Sequence, residues 1–188
     1  MALVLSAILK TNSEAGVAMF LSIRNARTQR ETLNSAAAVV LTGDLLETFS
    51  AISNVYKTLE GHRNDLAHGT FLISDQIPDA VLWMDPKEHN NFFVQWLAEL
   101  ERDLNASTEG LKEGLFIYRE KDIEQIRDNI SELWSAAFLF WQHLRMPNNP
   151  LTVEGYRRLC ALPQIRQELF RQKSVQQNNP ESPPSLPE

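Results

Sequence analysis

A seam of apolar residues runs through Leu45, Phe49, Ile52, Tyr56, Leu59 and Leu66, spaced for alternating steps of four and three. That spacing puts its members on one face of a single long helix and requires a partner to cover them. The step between Leu59 and Leu66 is occupied by Arg63. Arginine is almost never fully buried unless it is paired. A guanidinium at that point must find an acceptor, reach water at the helix end, or serve a ligand. A second seam, Ile123, Ile126, Ile130, Leu133, Ala137, Phe140 (or Trp141) and Leu144, repeats the pattern. Two such helices, over about 45–67 and 123–145, form the spine of an all-α bundle.

The rest of the chain fits around that spine. With 188 residues, 43% hydrophobic and 22% charged, it has the makeup of an ordinary globular domain with a substantial core. Met1–Lys10 reads as one or two turns of a core helix. Its apolar run lacks the basic start of a signal peptide and is far too short to span a membrane, so a cytoplasmic protein is expected. Ser13 is the expected N-cap of a helix that breaks near Asn25 and resumes to Val40. Thr42-Gly43-Asp44 ends it, with Asp44 capping the long seam helix. Residues 70–84 hold two short β-prone runs, read as an extended or hairpin insert. Asp85-Pro86-Lys87-Glu88 is a helix start with an acceptor, a proline and a glutamate in the favoured places. Phe93, Trp96, Leu97, Leu100 and Leu104 follow on one face. Residues 105–115 read as a loop, after which Leu115–Tyr118 can pair with the earlier insert. Asp122 is expected to cap the second seam helix and Pro147 to end it. Helix is expected again from Thr152, with an interruption at Pro163, to about Lys173. The expected organisation is one helical domain over 1–173, with a bundle core over about 1–145, a helical extension over 150–173, and a disordered tail over 174–188.

Charge and cysteine usage narrow the possible functions. The net charge of −6 argues against indiscriminate phosphate binding. A local basic stretch, with Arg145, Arg157, Arg158, Arg166, Arg171 and Lys173 against Glu154 and Glu168, reads mainly as a solvated face. Arg24, Arg27 and Arg30 recur every third residue, but Glu31 lies one helical turn beyond Arg27 and favours a surface pair. The single Cys160 excludes an internal disulfide and reads as a small buried hydrophobe. His62, His68, His89 and His143 are scattered without metal-ligand spacing, so no metal and no cofactor are expected. Trp134, Phe138, Phe140 and Trp141 read as core or dimer interface rather than a base-stacking platform.

Arg63-Asn64-Asp65-Leu66-Ala67-His68-Gly69 closes the first seam helix and carries the chemistry. Imidazole acts as a general acid or base near neutral pH. Guanidinium is a planar, permanently charged fork suited to phosphate oxygens. Asn64 stands four residues before His68, on the same helix face, and can orient it. Arg63 lies about 140° around an ideal helix from His68. One chain therefore aims the two groups apart, which favours a bent helix end or a site shared by two subunits. A structural role is the competing interpretation. His68 before Gly69 also makes a helix C-cap, and Arg63 can pin the bundle by pairing with Asp128 or Glu132.

The Arg-Asn-x-x-Ala-His-Gly pattern at the end of a helix in an all-α bundle resembles the HEPN superfamily (higher eukaryotes and prokaryotes nucleotide-binding domains). The resemblance covers about residues 1–145. It implies a bundle with two long antiparallel helices and a short insert near 70–84. It further implies a metal-independent endoribonuclease, with Arg63 and His68 as the catalytic pair and Asn64 positioning them or contacting RNA. A homodimer forming a composite site, an RNA substrate, and toxin or defence roles with an antitoxin-like partner belong to the same implication. The family also includes non-catalytic nucleotide- or RNA-binding and dimerisation modules, and that alternative stays open.

Overall fold

Asparagine and aspartate side chains cap the starts of several helices. The computed structural model describes residues 1–102 and 114–178. Among them are eight helices and one three-stranded sheet, so the chain is mostly helical as expected. The elements are α1 (Ala2–Ile8), α2 (Ser13–Ser22), α3 (Ala26–Val40), α4 (Gly43–His68), β1 (Thr70–Leu72), β2 (Ala80–Met84), α5 (Pro86–Leu100), β3 (Leu115–Arg119), α6 (Glu120–Arg145), α7 (Pro150–Ala161) and α8 (Pro163–Asn178). Asn25 caps α3 by accepting from Thr28 N at 3.1 Å, which explains the break there. Asp85 caps α5 by accepting from Lys87 N at 2.8 Å, with Pro86 next.

Several boundaries moved by one or a few residues. The cap of α2 is Asn12, which accepts from Glu14 N at 2.7 Å, and Ser13 is the first helical residue. Asp44 lies in the first turn of α4 rather than before it, because Gly43 at φ 54° turns the chain first. Asp122 sits three residues inside α6 and reaches back to accept from Arg119 N at 2.9 Å, half of a capping box. Asn149 opens α7, ahead of Thr152. Helix α8 continues past Lys173 to Asn178, so the start of the expected tail is helical. Leu104 and most of the expected 105–115 loop lie outside the described residues.

The chain divides into two units, one formed by residues 1–57 with 129 onward and the other by residues 58–128. In the first, Val4, Leu5, Ile8, Leu33, Phe49, Ile52, Phe140, Leu159 and Ile165 are all buried. Phe49 of α4 and Phe140 of α6 bring the two seams together with ring centres 6.3 Å apart. Ser6 of α1 faces Gly16 of α2 so closely that a Cβ there would lie 2.3 Å from Ser6 Cβ. Arg145 ties the α1–α2 turn by donating to Thr11 O and to Ser13 Oγ.

In the second unit the sheet order is β1-β2-β3, both pairs antiparallel. The insert is therefore a hairpin, and the 115–118 run pairs with it as the sequence suggested. Phe71, Trp83 and Phe116 are in register across the three strands. The buried hydrophobic residues are Leu59, Ala80, Trp83 and Met84. No residue of α5 is buried, and Phe93, Val94 and Leu97 are exposed. Of the expected apolar face of α5, Trp96 and Leu100 are half-buried while Phe93 and Leu97 are exposed.

Candidate functional site

The seam of α4 is buried at Phe49, Ile52 and Leu59, then ends. Residues 61–65 are all exposed, Leu66 is half-buried, and Ala67 and His68 are exposed. Of the three outcomes open to Arg63, reaching water is the one realised. Arg63 Nη1 donates to Asn64 Oδ1 at 3.1 Å. The suggested acidic partners are engaged elsewhere. Asp128 accepts from Arg127 at 2.9 Å, and Glu132 accepts from Gln164 N at 3.1 Å. The contact formed by Asn64 is thus to Arg63 rather than to the imidazole.

Helix α4 stays regular through His68, so Gly69 and not His68 takes the cap position. Gly69 N still donates to Asp65 O at 2.9 Å. The same carbonyl accepts from Trp83 Nε1 at 2.7 Å. The indole lies directly on Gly69, where an added Cβ would sit 1.4 Å from Nε1. Gly69 is therefore required for space. Trp83 is buried and meets Phe116 edge-on with ring centres 5.4 Å apart. This indole, eighteen positions along the chain from Asp65, anchors the helix end that carries His68. Tyr118 stands nearby on β3. Burial first, then the charges of Asp65 and Asp122, push its phenol above the ordinary value and keep it neutral.

Because the helix is unbroken, Arg63 and His68 remain about 140° apart around its axis. Together the residues offer an exposed guanidinium, steadied by an amide, and a separate imidazole on an anchored helix end. A groove of about 500 Å³ in the same unit is lined by Pro78, Asp79, Val81, Ile123 and Arg127 among others, and the three motif residues do not line it. Trp83 and Tyr118 escaped sequence reasoning, since nothing local marks a tryptophan in a β-run as a helix anchor.

The other sequence features resolve as follows. Arg27 pairs with Glu31 at 2.7 Å, with both side chains exposed. Arg157 and Arg158 both reach Glu154 at 3.6 Å, and Arg171 pairs with Glu168 at 2.6 Å. Much of the basic stretch is neutralised within itself. Phe140 is buried, whereas Trp134 is exposed and stacks flat on Phe138 at 5.4 Å. Half-buried Cys160 lies 4.0 Å from Thr48 Oγ1. Among the described residues no helix is long and apolar enough to cross a membrane.

No family model, curated protein or solved structure matches this chain.

Proposed function

We propose that the chain is a HEPN-like endoribonuclease that cleaves RNA at a site assembled from two copies. The observation that carries this reading is the state of Arg63. It is exposed at the end of α4 and steadied by Asn64, and neither suggested acid holds it. An arginine retained to pin a bundle is paired; this one is presented to solvent.

In the proposed reaction the RNA 2′-OH attacks the adjacent phosphorus and the bond to the 5′-oxygen breaks. The products are a 2′,3′-cyclic phosphate and a 5′-hydroxyl. His68 transfers the protons, taking one from the 2′-OH or delivering one to the leaving oxygen. Arg63 stabilises the charge that builds on the phosphorane oxygens. Asn64 holds the guanidinium in place. These groups supply an acid/base and a phosphate clamp, so the chemistry runs without a metal. Their divergence around α4 supports a site completed by residues of a partner copy. An antitoxin-like partner is the kind of protein that would restrain such an activity.

The test is a panel of single-stranded and loop RNAs with a 2′-deoxy control. Cleavage resistant to EDTA, ending in cyclic phosphate and lost in Arg63→Ala, supports the reading. Cleavage of the deoxy strand or a need for magnesium rejects it. A second reading is a non-cleaving RNA- or nucleotide-binding module, favoured by the structural use that Trp83 makes of Asp65 and Gly69. RNA binding weakened by Arg63→Ala, with no product from any RNA, would select it.

A further inference from the structure

We infer that the edge of β3, which no strand among the described residues pairs, is the surface on which two copies of this chain meet, antiparallel and centred on Phe116. The starting point is which way the backbone of β3 faces. In an antiparallel ladder each residue turns its N–H and C=O to the same side, and the side alternates along the strand. Arg119 is opposite Ala80 in the register. Arg119 N donates to Asp122 Oδ2 at 2.9 Å and Ala80 N donates to Ile77 O at 3.3 Å, so this pair does not exchange hydrogen bonds. Alternation then assigns Phe116 and Tyr118 to bonding with β2. Leu115 and Ile117 turn their N–H and C=O outward along the free edge. Asp122 closes one end of that edge by occupying Arg119 N.

The side chains carry the same message. Phe116 and Ile117 are 56% and 50% exposed and point to opposite faces of the sheet. Edge strands are normally guarded by charge, proline or a bulge, and the middle of this one has none. An apolar open edge is a template for another strand.

The occupant is a second copy because one two-fold register fits every group just named. With the axis through Phe116, Leu115 meets Ile117 of the partner and the two exchange both hydrogen bonds. The occupied N–H of Arg119 falls outside the pairing. Phe116 meets its own copy as a close, non-hydrogen-bonded pair. The register row Phe71–Trp83–Phe116 then continues into the partner's identical row, giving one aromatic ladder across a six-stranded sheet.

This axis is perpendicular to the sheet, so both copies present the Trp83 face on the same side. Trp83 anchors the end of α4 in each copy. The two β2 strands stand three strand spacings apart, about 14–15 Å. Both motif ends therefore lie over one surface, as the composite site of the proposed function needs. In that last respect the inference rests on the proposed function; the strand pairing itself does not. A short strand pair makes a small interface, so association on the order of micromolar is expected.

The experiment uses the full chain with Cys160→Ser as background. Sedimentation is followed from about 1 to about 500 µM, spanning the expected range. The wild type should pass from monomer to dimer. Ile117→Pro removes an N–H that the chain's own sheet does not use, so circular dichroism should be retained and the dimer lost. Phe116→Cys should oxidise to a covalent dimer at least ten-fold faster than Ile123→Cys, an exposed control in the same unit. If Ile117→Pro does not fold, the crosslinking rate decides. A monomer at every concentration overturns the inference and leaves the edge to an unrelated strand. An unchanged dimer in folded Ile117→Pro, or equal crosslinking rates, overturns it too. RNA cleavage is assayed separately. A dimer lost in Ile117→Pro with an inactive wild type preserves this interface and rejects the nuclease. Cleavage by a protein whose dimer ignores the substitution does the reverse.

Discussion

Substituting Gly69 by alanine tests whether Trp83 truly anchors the motif helix. The new Cβ would stand 1.4 Å from Trp83 Nε1, 2.2 Å from Cδ1 and 2.3 Å from Cε2. Non-bonded carbons rest about 3.5–4 Å apart, so the indole must retreat by roughly 2 Å. That retreat breaks the 2.7 Å bond to Asp65 O and disturbs the edge-on contact with Phe116. Overpacking of this kind costs about 1–3 kcal/mol, and the lost indole bond adds about 0.5–1.5 kcal/mol. The expected loss is about 1.5–4.5 kcal/mol, or a fall in Tm on the order of 10 °C for a chain of this size. Two readouts check it. Thermal melting gives the loss, and the indole N–H resonance of Trp83, assigned with Trp83→Phe, should move toward that of free indole. In a Trp83→Ala background the same glycine substitution should change stability by less than about 0.5 kcal/mol, since nothing is left to collide with. An unchanged melt and resonance in Gly69→Ala, or an equal loss in both backgrounds, would show that Trp83 does not anchor this helix end.

Arg63→Ala should change stability by less than about 0.5 kcal/mol, because the side chain is exposed and neither suggested acid holds it; a large fall in Tm would restore the pinning role. Gly16→Ala should lose about 1–3 kcal/mol, since its Cβ would meet Ser6 Cβ at 2.3 Å, and Ser6→Gly should recover much of that loss. Glu168 is held below the ordinary carboxylate range by Arg171 first and by Asn54. A lowered folded-state value means its contribution is present above the unfolded value near 4.3 and fades as pH falls through the folded value. Glu168→Gln should therefore flatten the acid limb of the stability–pH curve, and an unchanged limb would contradict the pairing.

The parts of the fold that were legible are those governed by local rules. The seam of α4 was readable down to Leu59, where burial ends, because helical periodicity depends on neighbours three and four apart. The cap at Asp85 and a break near Asn25 were readable because an N-cap side chain bonds backbone only two or three residues away. Asn12 displaced Ser13 because adjacent residues both suit an N-cap and only geometry chooses between them. The apolar face of α5 was legible as a face, but no sequence rule says whether a face is covered. The site follows the same division. Arg63 interrupting a seam was visible in the sequence. Trp83 reaching Asp65 was not, because that contact depends on the register of the sheet.

The central claim is that the exposed end of α4 acts on RNA through His68. The most direct measurement is cleavage by purified wild type and His68→Ala, each on RNA and on its 2′-deoxy counterpart, with EDTA present. Wild type should cut only the RNA and leave a 2′,3′-cyclic phosphate, and His68→Ala should lose at least a hundred-fold in rate while its helical spectrum stays unchanged. Wild-type activity in His68→Ala, or cleavage of the deoxy strand, would contradict that claim.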